Sequence, residues 1–297
     1  MCDRIAVNAT SGRAIELTTR PQPAQRRPAR PAARAAAASD ADPLFVNSVE
    51  KAFRVLGAFG PGASSLTLAE IVAASGLDRS AAQRFAHTLE RLGQLRKDPR
   101  TRRYELTLRT LDLGYRYIRS SVLVDRAAPY LLDLSRATEE AVSLTVRDGT
   151  EIVYLSRLLS RHMLQTNVQV GSRLPAYCTA PGRAMLSRLQ RAEALALLKA
   201  SERIAHTPHT TTSLPALAAR LDEAAARGFA IAVQEIYPGD VSVAAAVLGA
   251  DGVPCAAVNV AVSLARCGPD AAIERFAPLV VATAAALSQS MPREMRR

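Results

Sequence analysis

The chain has 297 residues, a net charge of +11 and a sequence pI near 10.1. That length leaves room for two hydrophobic cores, and the charge points to a polyanionic partner. Four cysteines (Cys2, Cys178, Cys255, Cys267) with no CxxC pair exclude a zinc knuckle and a disulfide framework, and fit a reducing cytoplasm.

The distribution of charge says more than its total, because a GC-rich genome enriches Arg and Ala by itself. Residues 1–43 hold seven Arg against four acids, residues 44–120 thirteen Lys/Arg against seven, and residues 121–297 eighteen against sixteen. The excess therefore concentrates in the second stretch. No segment approaches the ~20 apolar residues needed to cross a bilayer. The N-terminus lacks the apolar core of a secretory signal, so a cytoplasmic protein with no membrane partner is expected.

From Arg20 to Pro43 the chain alternates Arg, Pro and Ala. Without large apolar residues it cannot offset its ordering entropy, which predicts a disordered basic tail over 1–43. Val46, Val49, Phe53, Leu56 and Phe59 recur at helical steps, giving a helix over 47–59 capped by Asn47 or Ser48 and stopped at Gly60-Pro61-Gly62. Thr67 and Glu70 form a capping box for a helix over 68–75, and Gly76 supplies a left-handed turn. Asp78 caps the next helix, about 79–92, whose buried stripe is Ala82, Phe85, Ala86, Leu89 and Leu92. Two strands around Asp98-Pro99-Arg100 complete a winged helix-turn-helix over 44–106.

Leu108, Leu111, Leu113 and Ile118 then lie along a linker helix, about 108–120, within a linker of 107–124. From 125 to 290 the pattern changes. A helix at 127–138 leads to a strand from Ala141, a turn at Asp148-Gly149 and a strand over 151–157. There follow a strand near 163–170, a helix near 181–198 and another at 215–227. Strands over 229–233, 242–248 and 254–263 and a final helix (270–289) precede a tail at 291–297. Hairpins with helices grouped around them predict an α+β fold with a mostly antiparallel sheet, as in small-molecule sensors.

In a winged helix-turn-helix, residues near the start of the second helix read base edges in the major groove. The exposed candidates are Arg79, Ser80, Gln83 and Arg84, since Arg pairs with guanine and Gln with adenine in bidentate fashion. Arg100, Arg102 and Arg103 in the wing, with Thr67 at the head of its helix, complete the DNA-facing set. The bland alternatives are a solvated polar face or a protein-binding winged helix. Arg84 could also serve its own fold by pairing with Glu90 or a wing carboxylate.

Elsewhere the chemistry is thin. His206 and His209 flank Pro208 with no Cys or acid nearby, so loop residues are expected rather than a metal site. Cys178 and Thr179, with His162 or His206, lack the spacing of a nucleophile, base and orienting group, which leaves Cys178 a buried thiol. No GxGxxG or GxxxxGK[ST] occurs, and neither a cofactor nor enzymatic turnover is expected.

The first part carries Val46-Asn47-Ser48-Val49-Glu50-Lys51-Ala52, Leu68-Ala69-Glu70-Ile71 and Gly76-Leu77-Asp78-Arg79-Ser80. The second carries Asp148-Gly149-Thr150-Glu151-Ile152-Val153-Tyr154, the run from Gly171 to Ala180, and Gly228-Phe229-Ala230 with Glu235. Together, from about Phe45 to Leu287, these segments resemble the IclR-type bacterial transcription regulators. Phe45-Val46-Asn47-Ser48 and Ala257-Val258-Asn259-Val260 resemble the branch controlling aromatic-acid catabolism, such as protocatechuate or 4-hydroxybenzoate pathways.

The resemblance implies a GAF-like effector domain, a homodimer or dimer of dimers, a palindromic double-stranded DNA operator and a small organic acid effector. It places the effector against Leu174, Ala180, Pro181, Asp240, Ser242, Asn259 and Ala261. Backbone N–H groups at the start of the helix from 181 would favour an anion. The chain departs from the family pattern at Pro181, which removes one such N–H, at Ala232, at Asp240, where an apolar residue is usual, and at Ala261. A carboxylate beside Asp240 would need Arg173 or Arg183 to offset the repulsion. Two other functions fit the same residues: a constitutive, sequence-tolerant DNA-binding protein, and an enzyme fused to a winged-helix module.

Overall fold

A computed structural model describes residues 42–162 and 168–291. Of the expected tails, 1–43 and 291–297, only Asp42, Pro43 and Met291 are among the described residues, and Met291 is buried in the second unit's core rather than in a tail. The first unit opens with α1 (Asn47–Leu56), whose cap position is Val46 with no side-chain cap, so neither Asn47 nor Ser48 serves as expected. Helix α2 (Leu68–Ser75) has the predicted capping box. Glu70 N–H donates to Thr67 Oγ1 at 3.3 Å, and Thr67 N–H donates back to Glu70 Oε2 at 2.7 Å. Gly76 takes the left-handed conformation (φ 66°) that turns the chain into α3 (Arg79–Arg91). Asp78 Oδ1 caps α3 by accepting from Ala81 N–H at 2.8 Å.

Val55, Ile71, Ala82, Ala86 and Leu89 meet in a small core closed by Leu95 and Tyr104. Phe85 only packs against its edge, and Leu92 is 59% exposed at the C-cap, beyond the stripe's last turn. The wing strands are β2 (Leu95–Lys97) and β3 (Tyr104–Leu106). A two-residue strand that the sequence pattern hid, β1 (Ser65–Leu66), pairs with β3 to give the order β1-β3-β2.

The linker is interrupted. A 3-10 turn at Leu108–Thr110 runs into α4 (Leu111–Ser120), and α5 (Val122–Thr138) starts two residues later. Ser121 takes an extended conformation (ψ 103°) and accepts from Val124 N–H at 3.4 Å, acting as an N-cap. The helix expected from 127 therefore starts at Val122.

The second unit is an antiparallel six-stranded sheet in the order β6-β5-β4-β9-β8-β7. Its strands are β4 (Ala141–Asp148), β5 (Glu151–Leu158), β6 (Arg173–Pro175), β7 (Ala230–Val233), β8 (Asp240–Leu248) and β9 (Pro254–Ser263). Alternation along β8 and β9 defines its two faces. Val241, Val243, Ala245 and Val247 with Val258, Val260 and Val262 face α5 and α9 (Pro269–Ser290). The opposite face carries Asp240, Ser242 and Ala244 with Ala257, Asn259 and Ala261. It is covered by α6 (Ala180–Leu186), α7 (Arg191–Ala200) and α8 (Leu214–Arg227).

Three sequence expectations change here. The strand near 163–170 falls partly on residues outside the described ones; residues 168–170 form no strand, and the edge strand is Arg173–Pro175. The helix near 181–198 is two helices, because every residue of α6 is buried whereas α7 buries only Ala194 and Leu198. One straight helix cannot present both patterns to the same sheet. Finally, α9 spans 22 residues and holds an 18-residue window with a mean hydropathy of 1.4, enough to cross a bilayer by length and composition. Its Phe276, Val280, Ala284 and Leu287 are instead packed into the sheet's core.

Candidate functional site

Two sets of predicted residues come together in separate places. On α3, Arg79, Ser80, Gln83 and Arg84 are exposed on the first two turns. No hydrogen bond or ion pair from a described residue engages these four side chains, and Arg84 pairs with neither Glu90 nor a wing carboxylate. Arg100 and Arg102 project from the tip of the wing. There Asp98 Oδ1 accepts from the N–H groups of Arg100 and Thr101, both at 2.8 Å, and Arg102 adopts a left-handed φ of 59°.

Arg103 and Thr67 differ from that group. The Arg103 guanidinium donates to Ser65 Oγ (3.1 Å), Ser65 O (2.7 Å) and Glu70 Oε2 (2.9 Å). Glu70 in turn completes the Thr67 cap, and the Thr67 N–H and hydroxyl hold its carboxyl below the usual carboxylate range. These side chains tie the wing to α2, so Arg103 positions the wing with the donors expected from the sequence to face DNA.

The second set meets on the sheet face opposite α9. Leu174 from β6, Ala180 and Pro181 from the start of α6, Asp240 and Ser242 from β8, and Asn259 and Ala261 from β9 all line one cavity of about 450 Å³, its open mouth included. The register Ser242↔Ala261 and Ala244↔Asn259 sets the two strands' contributions side by side. Nine further residues line it, Tyr154, Arg157, Ile236 and Tyr237 among them. Tyr154 and Arg157 have opposite parity along β5 and should face opposite ways. A β-bulge corrects this, since Tyr154 pairs with Thr145 but Ser156 pairs with Leu144, leaving Leu155 extra. Ile236 and Tyr237 come from the turn 234–239, where Gln234 holds a φ of 56° and its Oε1 accepts from Gly239 N–H at 2.9 Å.

The charges are not arranged as the sequence reading required. Arg183 is fully buried and bidentate to Glu235, at 2.5 and 2.7 Å, while its Nε–H donates to Tyr177 O at 2.8 Å. Glu235 also accepts from Thr211 N–H at 2.9 Å, so the pair is neutral and satisfied. Arg173 turns to Asp148 and to Glu151 (3.2 Å). Neither arginine offsets Asp240. The cation facing it is Arg157, which donates to Ser143 Oγ at 3.2 Å.

Burial pushes the Asp240 carboxyl up to about 7, and the Arg157 charge pulls the other way. Asp240 Oδ1 and Asn259 Oδ1 are buried and accept no hydrogen bond from any described residue. Asn259 Nδ2 donates to Ser242 Oγ at 3.1 Å.

The start of α6 offers less to an anion than expected. The helix has seven residues, Pro181 has no N–H, and Gly182 N–H is taken by Thr179 Oγ1 at 3.3 Å. Burial raises the Cys178 thiol to about 12, which keeps it protonated and unreactive. His206 and His209 lie on an exposed loop, and no cluster of three His, Cys, Asp or Glu occurs among the described residues.

Comparison with known proteins fits both places. Residues 48–99 match the IclR helix-turn-helix domain, and residues 115–289 match the bacterial transcriptional regulator IclR C-terminal family. The Pca regulon regulatory protein of Pseudomonas putida is 32% identical over 273 residues, covering 88% of this chain and 93% of its own length. The p-hydroxybenzoate hydroxylase transcriptional activator of Acinetobacter baylyi is 28% identical, with 81% and 90% covered. The crystal structure of an IclR family transcriptional regulator from Brucella abortus superposes with a TM-score of 0.72 at 25% identity, covering 84% of this chain and 95% of that one. The chain belongs to the IclR family: it is a DNA-binding transcriptional regulator responsive to a small-molecule effector, and not an enzyme.

Proposed function

We propose that this regulator controls a catabolic operon by binding a palindromic operator as a homodimer or a dimer of dimers, and that a small organic acid in the cavity of the second unit sets its affinity. The observation that carries the reading is the coexistence of an unengaged Arg/Ser/Gln face on α3 with a cavity that gathers all seven expected effector positions. Arg79, Ser80, Gln83 and Arg84 read bases, and Arg100 and Arg102 hold the flanking phosphates. Arg157 supplies the cation for the acid. The relatives' names, a Pca regulon regulator and a p-hydroxybenzoate hydroxylase activator, support an aromatic acid as its class.

The dimer is supported by apolar side chains that no core covers. On α1 these are Val49 and Phe53; on α4 they are Leu111, Leu113, Tyr115 and Tyr117, each more than half exposed. A second copy buries them best, since a two-fold axis sets one winged unit on each half-site. The domains run 44–106, 107–124 for the linker and 125–290 for the GAF-like effector unit, in a cytoplasmic protein.

Footprinting of the full-length protein on the DNA upstream of its own gene tests the proposal. Two protected, inversely related half-sites are expected. Uniform, sequence-independent protection would identify a constitutive DNA coat instead.

A further inference from the structure

The cavity holds a residue that its charge makes expensive and its geometry makes useful. Asp240 opens β8, and its main chain is pinned on both sides. Gln234 N–H donates to Asp240 O at 2.7 Å, and Asp240 pairs in register with Ser263 of β9. The side chain lies on the cavity face with Ser242, and its buried Oδ1 accepts nothing from the described residues. A buried acceptor left without a donor carries its full desolvation cost, and native proteins satisfy such groups almost always. Here the space in front of it is the cavity itself.

The surroundings narrow what fills it. Arg157 enters from β5, three strand spacings from β8 or about 14 Å at the backbone. The cavity therefore has a cationic side and an acceptor side. Asn259 on β9, between β4 and β8, and Ser242 on β8 are bonded to each other on the same face. Rotating the Asn259 amide would exchange its orphan acceptor for an orphan donor, whereas an ionised Asp240 is an acceptor in any rotamer. Tyr154 and Tyr237 also face Asp240, and burial keeps both phenols protonated.

We propose that Asp240 is a specificity-determining residue: it accepts a hydrogen bond from a hydroxyl of the effector, so that the chain selects hydroxylated acids over their hydroxyl-free analogues. The inference rests on reading this cavity as the effector site. The acid group lies toward Arg157 and the hydroxyl toward Asp240. A hydroxyl suits the position better than an ammonium, because it costs less to bring out of water beside a carboxyl that burial keeps partly neutral.

Isothermal titration of the full-length protein at pH 7 with benzoate and its mono- and dihydroxy derivatives, and with propanoate and its hydroxy derivatives, tests this. In the wild type at least one hydroxylated acid should bind about tenfold or more tighter than its hydroxyl-free parent, the scale of a hydrogen bond to a charged group. In Asp240→Leu that ratio should fall to about one, with the hydroxyl-free acid binding as well as before or better. Asp240→Asn, which keeps the shape and one acceptor oxygen, should retain part of the preference, and it carries the test if the leucine variant does not fold. Equal affinity for hydroxylated and parent acids in the wild type, or a preference that survives both substitutions, overturns the role of Asp240 while leaving the effector site standing. Failure of every acid to bind the wild type overturns the effector reading itself, and this inference with it.

Discussion

Asp240 and the Arg183–Glu235 pair show two ways for one fold to hold buried charge. The folded Asp240 carboxyl keeps its proton to about pH 7, whereas the unfolded chain releases it near the ordinary 3.8. The native state therefore binds more protons between those values, and stability must fall as pH rises through the interval. Comparing thermal unfolding of wild type and Asp240→Asn should show little difference near pH 4. By pH 8 the variant should gain on the order of 4 kcal/mol relative to wild type. A gap that does not change with pH would mean the carboxyl titrates normally. Arg183 and Glu235 behave oppositely, being buried, paired and hydrogen-bonded. Arg183→Met should cost about 3–5 kcal/mol in denaturant unfolding, because it strands the Glu235 charge, and adding Glu235→Leu should recover much of it. At the DNA face, Gln83→Ala should change sequence preference in a binding-site selection. Arg102→Ala should weaken all sites alike and flatten the salt slope. The cavity positions of β8 and β9 were legible through family resemblance together with strand alternation. Arg157 was not, because a bulge at Leu155 overrides the alternation that a sequence reading must assume.

Elements were legible where local chemistry alone decides them. The Thr67–Glu70 box, the left-handed Gly76 and the Asp78 cap mark α2 and α3 because each satisfies backbone groups within four residues. Helix α6 was misjudged because tertiary contacts decide it: all its residues are buried, and its register is set by a backbone approach the sequence cannot display. A Cβ on Gly182 would lie 2.2 Å from Ala176 O, so α6 rests directly on the 3-10 turn Ala176–Cys178. Gly182→Ala should therefore push α6 off the turn that lines the cavity. We expect a loss of roughly 2 kcal/mol or more in unfolding experiments, together with weakened ligand binding. An unchanged midpoint would show that the turn yields freely. Strand β1 escaped notice for a related reason. Two residues give no periodicity, and their pairing is secured from afar by Arg103 on Ser65.

At the scale of the whole molecule, the winged unit and the six-stranded unit have separate cores, and the chain between them is one broken helix. The basic excess sits in the first unit and the linker, which fits an electrostatic approach to DNA, while the near-neutral second unit is free to bind a ligand. A ligand can change DNA affinity only by favouring one arrangement of the assembly over another. The uncovered apolar faces of α1 and α4 make that assembly testable by itself. Leu111→Asp with Leu113→Lys should shift the protein toward monomer in sedimentation and weaken operator binding, with the cavity's ligand affinity retained. The most direct measurement is fluorescence anisotropy of the full-length protein on its own upstream DNA against scrambled DNA at physiological salt, with and without aromatic acids. Affinity about 10³-fold tighter for the upstream DNA, shifted by one acid, is the predicted result. Equal affinity for both DNAs, indifferent to every acid, would contradict it.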